Sequence, residues 1–170
     1  MSSTSNAVPH LLYHGSAFND EELMPGYKRT GILVEWDETE SNKFLYATTS
    51  KKEAIKLGLA SSIEKTFKLN KFKTEGDSIF IVIEGNELSY AKLCKLPLYV
   101  YTIRTTDRDG WVANNNEHNN MSDEWKTDQT IRGLAAIEHV DIKEFFKDYR
   151  VEIQYVDKRG NKIKPTFMSW

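Results

Sequence analysis

The chain has 170 residues and a formal net charge of −2, from 23 lysines and arginines against 25 aspartates and glutamates. Hydrophobic residues make up 39% and aromatics 12%, enough to bury a core, which excludes a disordered chain. The near balance of charge gives no global pull toward nucleic acid or anionic membrane. The single cysteine, Cys94, excludes an internal disulfide framework, and no run approaches the roughly 18 apolar residues of a bilayer span.

This length predicts one domain, over residues 10–170, behind a polar tail from Met1 to Pro9. The tail lacks the charged and apolar regions of a signal peptide, so a cytoplasmic location is expected, with no membrane contact and a monomeric state. Leu11 to His14 predicts a short strand ended by Gly15-Ser16, and Leu23-Met24-Pro25-Gly26 a turn. Gly31 to Val34 is a short strand or loop, and Glu35 to Asn42 an acidic, polar stretch. Phe44 to Thr48 is apolar and aromatic, the pattern of a buried strand.

Ser50, with Glu53 three residues later, forms a capping-box pattern. Ala54, Ile55, Leu57, Gly58, Leu59, Ile63 and Phe67 then recur at helical spacing, which predicts a helix from about Lys51 to about Lys65. Lys65 to Lys73 carries four lysines and two phenylalanines and reads as the wet face of a helix end rather than a nucleic-acid patch. Ile79 to Ile83 is a continuous apolar run between Gly76 and Gly85, the pattern of a central strand, and Leu98 to Ile103 is another strand. Trp111 to Met121 is rich in asparagine and reads as a mobile loop. Glu124 to Thr127 and Gly133 to Val140 predict later strands, Asp141 to Phe146 a helical turn, and Arg150 to Val156 a half-exposed strand before a turn at Asp157 to Asn161. The expected class is α+β: split, mainly antiparallel sheets with one or more flanking helices.

Two segments carry chemistry. Leu11-Leu12-Tyr13-His14-Gly15-Ser16 is an apolar run closing on His-Gly-Ser, and Tyr46-Ala47-Thr48 leads directly into Ser50-Lys51-Lys52-Glu53-Ala54. Taken alone, His14 is an ordinary strand-end residue and Tyr46 ordinary core. As a pair, in this order, they resemble the ADP-ribosyltransferase superfamily. The first segment is similar to the first-strand motif of the poly(ADP-ribose) polymerases. With Phe18 to Gly26 added it also resembles the small rifampicin ADP-ribosyltransferases, whose His-Gly-Thr is followed by a leucine-Pro-Gly turn. The likeness covers about residues 10–65, extends less closely over Ile79 to Ile103, and is weak beyond.

That resemblance implies an ADP-ribosyltransferase-like domain using NAD as substrate, without a metal. His14 would bind the adenosine-side ribose and Tyr46 would stack on the nicotinamide. The Gly15 backbone would grip the carboxamide, since a glycine allows close approach. Tyr13, Ser16 and Thr48 are the neighbouring candidates for the NAD site. The family also places an acidic group on a later strand to polarise the ribose 2′-hydroxyl and stabilise the oxocarbenium-like sugar. Asp123-Glu124-Trp125 resembles the Asn-Glu-Tyr of the polymerases, which points to Glu124. Asp123, Asp128 and Gln129 are the other candidates, and a solvated charge beside a buried Trp125 is the plain reading of Glu124.

The expected activity is transfer of single ADP-ribose units to an acceptor that the sequence does not identify, whether protein, nucleic acid or small molecule. An NAD glycohydrolase and a non-catalytic binding module of the same fold are the alternatives. Such small domains include toxins, defence enzymes and drug-modifying enzymes. A related family, the NAD-using RNA 2′-phosphotransferases, relies on several arginines; Arg29 is one candidate, but the set is not evident. His10, His14, His118 and His139 show no metal-ligand spacing. The loop from Trp111 to Met121 falls where the superfamily places its substrate-recognition loop.

Overall fold

Ser50 opens the element on which the rest is assembled. In the computed structural model, which describes residues 7–25, 44–114 and 123–163, helix α1 runs Lys51–Thr66. Ser50 is extended, and its hydroxyl oxygen accepts from the Glu53 N–H, satisfying one of the orphan donors of the first turn. The Glu53 carboxylate pairs with Lys56 at 3.1 Å. Ala54, Ile55, Leu59 and Ile63 are buried as their spacing predicts, whereas Leu57 stays half exposed.

Among the described residues, nine strands surround this helix in two sheets. They are β1 (Leu11–Ser16), β2 (Leu45–Thr48), β3 (Asn70–Glu75), β4 (Ser78–Glu84), β5 (Tyr99–Arg104), β6 (Val112–Ala113), β7 (Glu124–Thr127), β8 (Leu134–His139) and β9 (Arg150–Val156). Two short helices, α2 (Leu88–Cys94) and α3 (Ile142–Phe146), complete the described elements. The larger sheet has the order β6-β7-β2-β1-β5-β8 and is antiparallel at every pairing. The smaller, β3-β4-β9, pairs β4 antiparallel with β3 and parallel with β9. The class is therefore α+β with mainly antiparallel sheets, and β4 is central as its unbroken apolar run predicts.

Because successive strand residues face opposite ways, the larger sheet buries two separate cores. On the α1 side, Ala54, Leu59 and Ile63 meet Val100 of β5 and Ile79, Ile81 and Ile83 of β4, with Ile142 and Phe146 closing one end. On the opposite side, Leu12, Leu45, Ala47, Tyr101, Ile103 and Trp125 pack with Leu23, Trp111 and Ile131 from the connecting segments. Leu23 and Ile131 exchange both backbone hydrogen bonds, at 2.8 and 2.7 Å, and so pin the segment after β1 across this second core.

The approach of α1 to β1 is set by two glycines. A Cβ on Gly15 would lie 1.9 Å from the Ala54 carbonyl oxygen and 2.9 Å from the Gly58 nitrogen; one on Gly58 would lie 2.9 Å from the Gly15 Cα. Helix and strand thus touch backbone to backbone.

Three elements differ from expectation. The lysine-rich stretch is not one helix end: Lys65 belongs to α1, but Lys71 and Lys73 stand exposed on β3, an edge strand of which only Phe72 is even half buried. Exposed lysines on a sheet edge discourage further pairing, and they also hide the strand's alternation. Helix α2 gave no apolar period because it buries only Leu93; just before its N-cap Glu87, Asn86 Oδ1 accepts from the Leu88 N–H at 2.9 Å. β1 also continues through Gly15 and Ser16 instead of ending at His14. The expected strand or loop at Gly31–Val34 and the polar stretch Glu35–Asn42 lie outside the described residues.

Gly58→Ala should lower stability in urea denaturation by about 1–3 kcal/mol, the usual cost of overpacking, because two of the three atoms its methyl would meet are Gly15 backbone and the third is the buried Leu98 side chain. Gly15→Ala should cost more. Gly133→Ala, with nothing within 4 Å of its new methyl, is the control and should stay within about 0.5 kcal/mol.

Candidate functional site

Within the larger sheet, β1 and β5 share six registered pairs, and β2 and β7 share four. Between β1 and β2 only one is registered, Tyr13 with Thr48. The sheet parts beyond it. At that parting lies a cleft of about 700 Å³, bounded by β1, β2, the exposed face of α1 and the first residue of β7. This is the size of a cavity that can hold a small molecule or cofactor.

The ladder geometry defines what faces the gap. The Thr49 N–H donates to the Asp123 carbonyl at 3.0 Å, so Thr49 turns to β7 and Thr48 turns to β1. Tyr13, its partner, turns its own N–H and C=O toward β2, and so does Gly15 two residues on. Gly15 lies beyond the last registered pair, with its main-chain polar groups toward the parting. The absent side chain at Gly15 has a structural cause in its contact with α1. The main chain it leaves toward the cleft is a separate matter.

Where the ladder stops, a side chain takes over. His14 Nδ1 lies 2.6 Å from the Tyr46 carbonyl oxygen. A carbonyl only accepts, so this bond assigns the proton to Nδ1 and makes Nε2 an acceptor in the neutral ring. By alternation His14 leaves β1 on the side of Leu12 and Ser16, toward the second core. Tyr13 and Gly15 leave on the α1 side, as do Tyr46 and Thr48 from β2 and Glu124 from β7. All of them line the one cleft, because it opens where the two strands part.

Glu124 reaches the site through register. It pairs with Thr48, which pairs with Tyr13, so the three side chains form a row across three strands. Asn114, just past β6, donates from its side-chain amide to Glu124 Oε1 at 2.5 Å, and its N–H donates to the Glu124 carbonyl at 2.8 Å. The alternative acidic candidates sit elsewhere. Asp123 is exposed at the turn before β7. Asp128 and Gln129 bond to each other at 2.9 Å past the opposite end of that strand, outside the cleft lining.

The remaining walls are apolar and weakly charged. Leu57, Ser61, Glu64 and Lys65 come from α1, and Phe18 closes one end with Lys65 Nζ 4.6 Å from its ring centre. Phe44 and Tyr46 meet edge to face at 6.3 Å, and Lys126 caps Phe44 at 4.5 Å. The segment carrying Phe18 is clamped by Tyr101, fully buried on β5. Its hydroxyl donates to the Phe18 carbonyl at 2.5 Å and accepts from the Asp20 N–H at 2.8 Å.

Sequence reasoning missed Tyr101 and Asn114. Tyr101 reads as one more aromatic in a buried strand, and Asn114 as part of an asparagine-rich loop. That loop is corrected at its start: Trp111 is buried, Val112–Ala113 form β6 and Asn114 is buried, because β6 pairs with β7. Its remainder, with His118, lies outside the described residues, as does Arg29. No group of three or more potential metal ligands occurs among the described residues, and none of their helices is long and apolar enough to cross a membrane. Compared with protein-family models, curated proteins and solved structures, the chain matches none.

Tyr101→Phe removes the hydroxyl that holds the Phe18 carbonyl and the Asp20 N–H. It should cost about 1–3 kcal/mol in chemical denaturation, the scale for a lost buried hydrogen-bond partner.

Proposed function

We propose that this chain is an ADP-ribosyltransferase-like enzyme that breaks the nicotinamide–ribose bond of NAD and passes single ADP-ribose units to an acceptor. The observation that carries the reading is convergence. His14, Gly15, Tyr46, Thr48 and Glu124, spread over 111 residues of sequence, line one cleft at the parting of adjacent strands.

Each group has a role that fits its placement. The Gly15 N–H and C=O, turned to the gap, match the acceptor and donor of a carboxamide. Tyr46 offers a ring face to the nicotinamide. His14 Nε2 accepts from a ribose hydroxyl, while its Nδ1 ties the imidazole to the strand that carries Tyr46. Glu124 supplies a carboxylate for the ribose 2′-hydroxyl and for the positive charge that develops on the sugar. In a cleft walled by Phe18, Phe44, Met24 and Leu57 that charge interaction is stronger than in water. Nicotinamide leaves with the bonding electron pair, the acceptor's nucleophilic atom bonds to the anomeric carbon, and that atom releases its proton.

Purified protein incubated with NAD should release nicotinamide, followed by chromatography, and the His14→Ala, Tyr46→Ala double variant should not. Release that depends on an added acceptor identifies transfer, and release without one identifies hydrolysis. No release together with no NAD-induced thermal shift would overturn the NAD reading in favour of a binding module for another ligand.

Glu124→Gln should still bind NAD but turn over about 10²–10³-fold more slowly, the scale for a single electrostatic stabiliser. Near-full turnover in that variant would remove Glu124 from the mechanism while leaving the NAD site intact.

A further inference from the structure

We infer that Asn114 is a positioning residue for this reaction: it fixes one oxygen of the Glu124 carboxylate so that the other is presented to the cleft. The inference rests on the NAD reading above.

Three observations carry it. First, Asn114 is only 7% exposed and stands behind Glu124, since Glu124 lines the cleft and Asn114 does not. Second, the contact is doubled: the amide donates to Oε1 at 2.5 Å, and the backbone N–H donates to the Glu124 carbonyl at 2.8 Å. Backbone and side chain of the two residues are thus locked to each other, because Asn114 continues the β6–β7 register in which Ala113 opposes Trp125. Third, the donor is neutral. A carboxylate only accepts, so the amide nitrogen faces it, and the amide holds it without cancelling its charge. The lysine next along the same face, Lys126, sits over the Phe44 ring instead. A carboxylate that must answer a developing positive charge is best restrained this way, because an ion pair would spend its charge before the sugar needs it.

The other titratable groups that share the cleft with Glu124 are Tyr13 and His14 of β1, Tyr46 of β2, and Glu64 and Lys65 of α1. The Glu124 side chain takes its hydrogen bond from Asn114.

The test is nicotinamide release by the wild type, Asn114→Ala, Asn114→Asp, Glu124→Gln and the Asn114→Ala, Glu124→Gln double variant. In Asn114→Ala, kcat should fall about 10–10²-fold, the scale for a misplaced catalytic group, with little change in the KM for NAD. On the Glu124→Gln background the same change should cost nothing further, since two residues that act as one unit are not additive. Asn114→Asp keeps the shape and the backbone bond if the alanine variant fails to fold. Its second carboxylate should lower kcat and move the acid limb of the pH profile upward, because like charges raise one pKa of the pair. Wild-type release with unchanged kcat and pH profile in Asn114→Ala and Asn114→Asp would overturn this inference alone. So would an equal loss on both backgrounds, which marks a merely structural role. A silent wild type would overturn the NAD reading and this role together.

Discussion

The backbone contact between Gly15 and Gly58 is the constraint on which the architecture depends. It brings α1 against β1 at a separation that no side chain permits at either position, and so sets how deeply Ala54, Leu59 and Ile63 sink into the first core. It also places the opposite edge of α1, with Leu57, Ser61 and Lys65, at the height needed to wall the cleft. One close approach therefore serves packing and site together. A larger residue at either position would lift the helix and so alter the cleft.

Much of this was legible in local sequence chemistry. Ser50 announces the start of α1, and the hydroxyl cap is present as the capping pattern implies. The run Ile79 to Ile83 announces β4, the strand between β3 and β9, whose Ile79, Ile81 and Ile83 are fully buried while Phe80 and Val82 on its other face are half buried. The juxtaposition of His14 with Tyr46 was foreshadowed by two strand-ending motifs. That Glu124 joins them follows from register, which no single segment encodes: it needs β7 to pair with β2 at Thr48.

What stayed hidden has physical reasons. β3 reads as solvated because an edge strand with one half-buried side chain has little apolar pattern to display. α2 buries a single leucine. Asn114 is camouflaged by the asparagines that follow it, and only pairing across β6 and β7 separates it from them. His14 is instructive in another way. Strand alternation sends it to the face opposite Tyr46, and only the parting of β1 from β2 lets both reach the same space.

That parting also joins binding to cohesion. The larger sheet consists of two three-stranded halves, β6-β7-β2 and β1-β5-β8, which share the second core but are joined within the sheet by one registered pair and one imidazole. A ligand amide seated on the Gly15 main chain would stand where the next rung of a continuous sheet belongs. The occupant would then act as a mortise for the fold. Part of its affinity would come from closing the seam, and a saturating ligand at about 100 times its Kd would add about 2.7 kcal/mol to the stability of the whole.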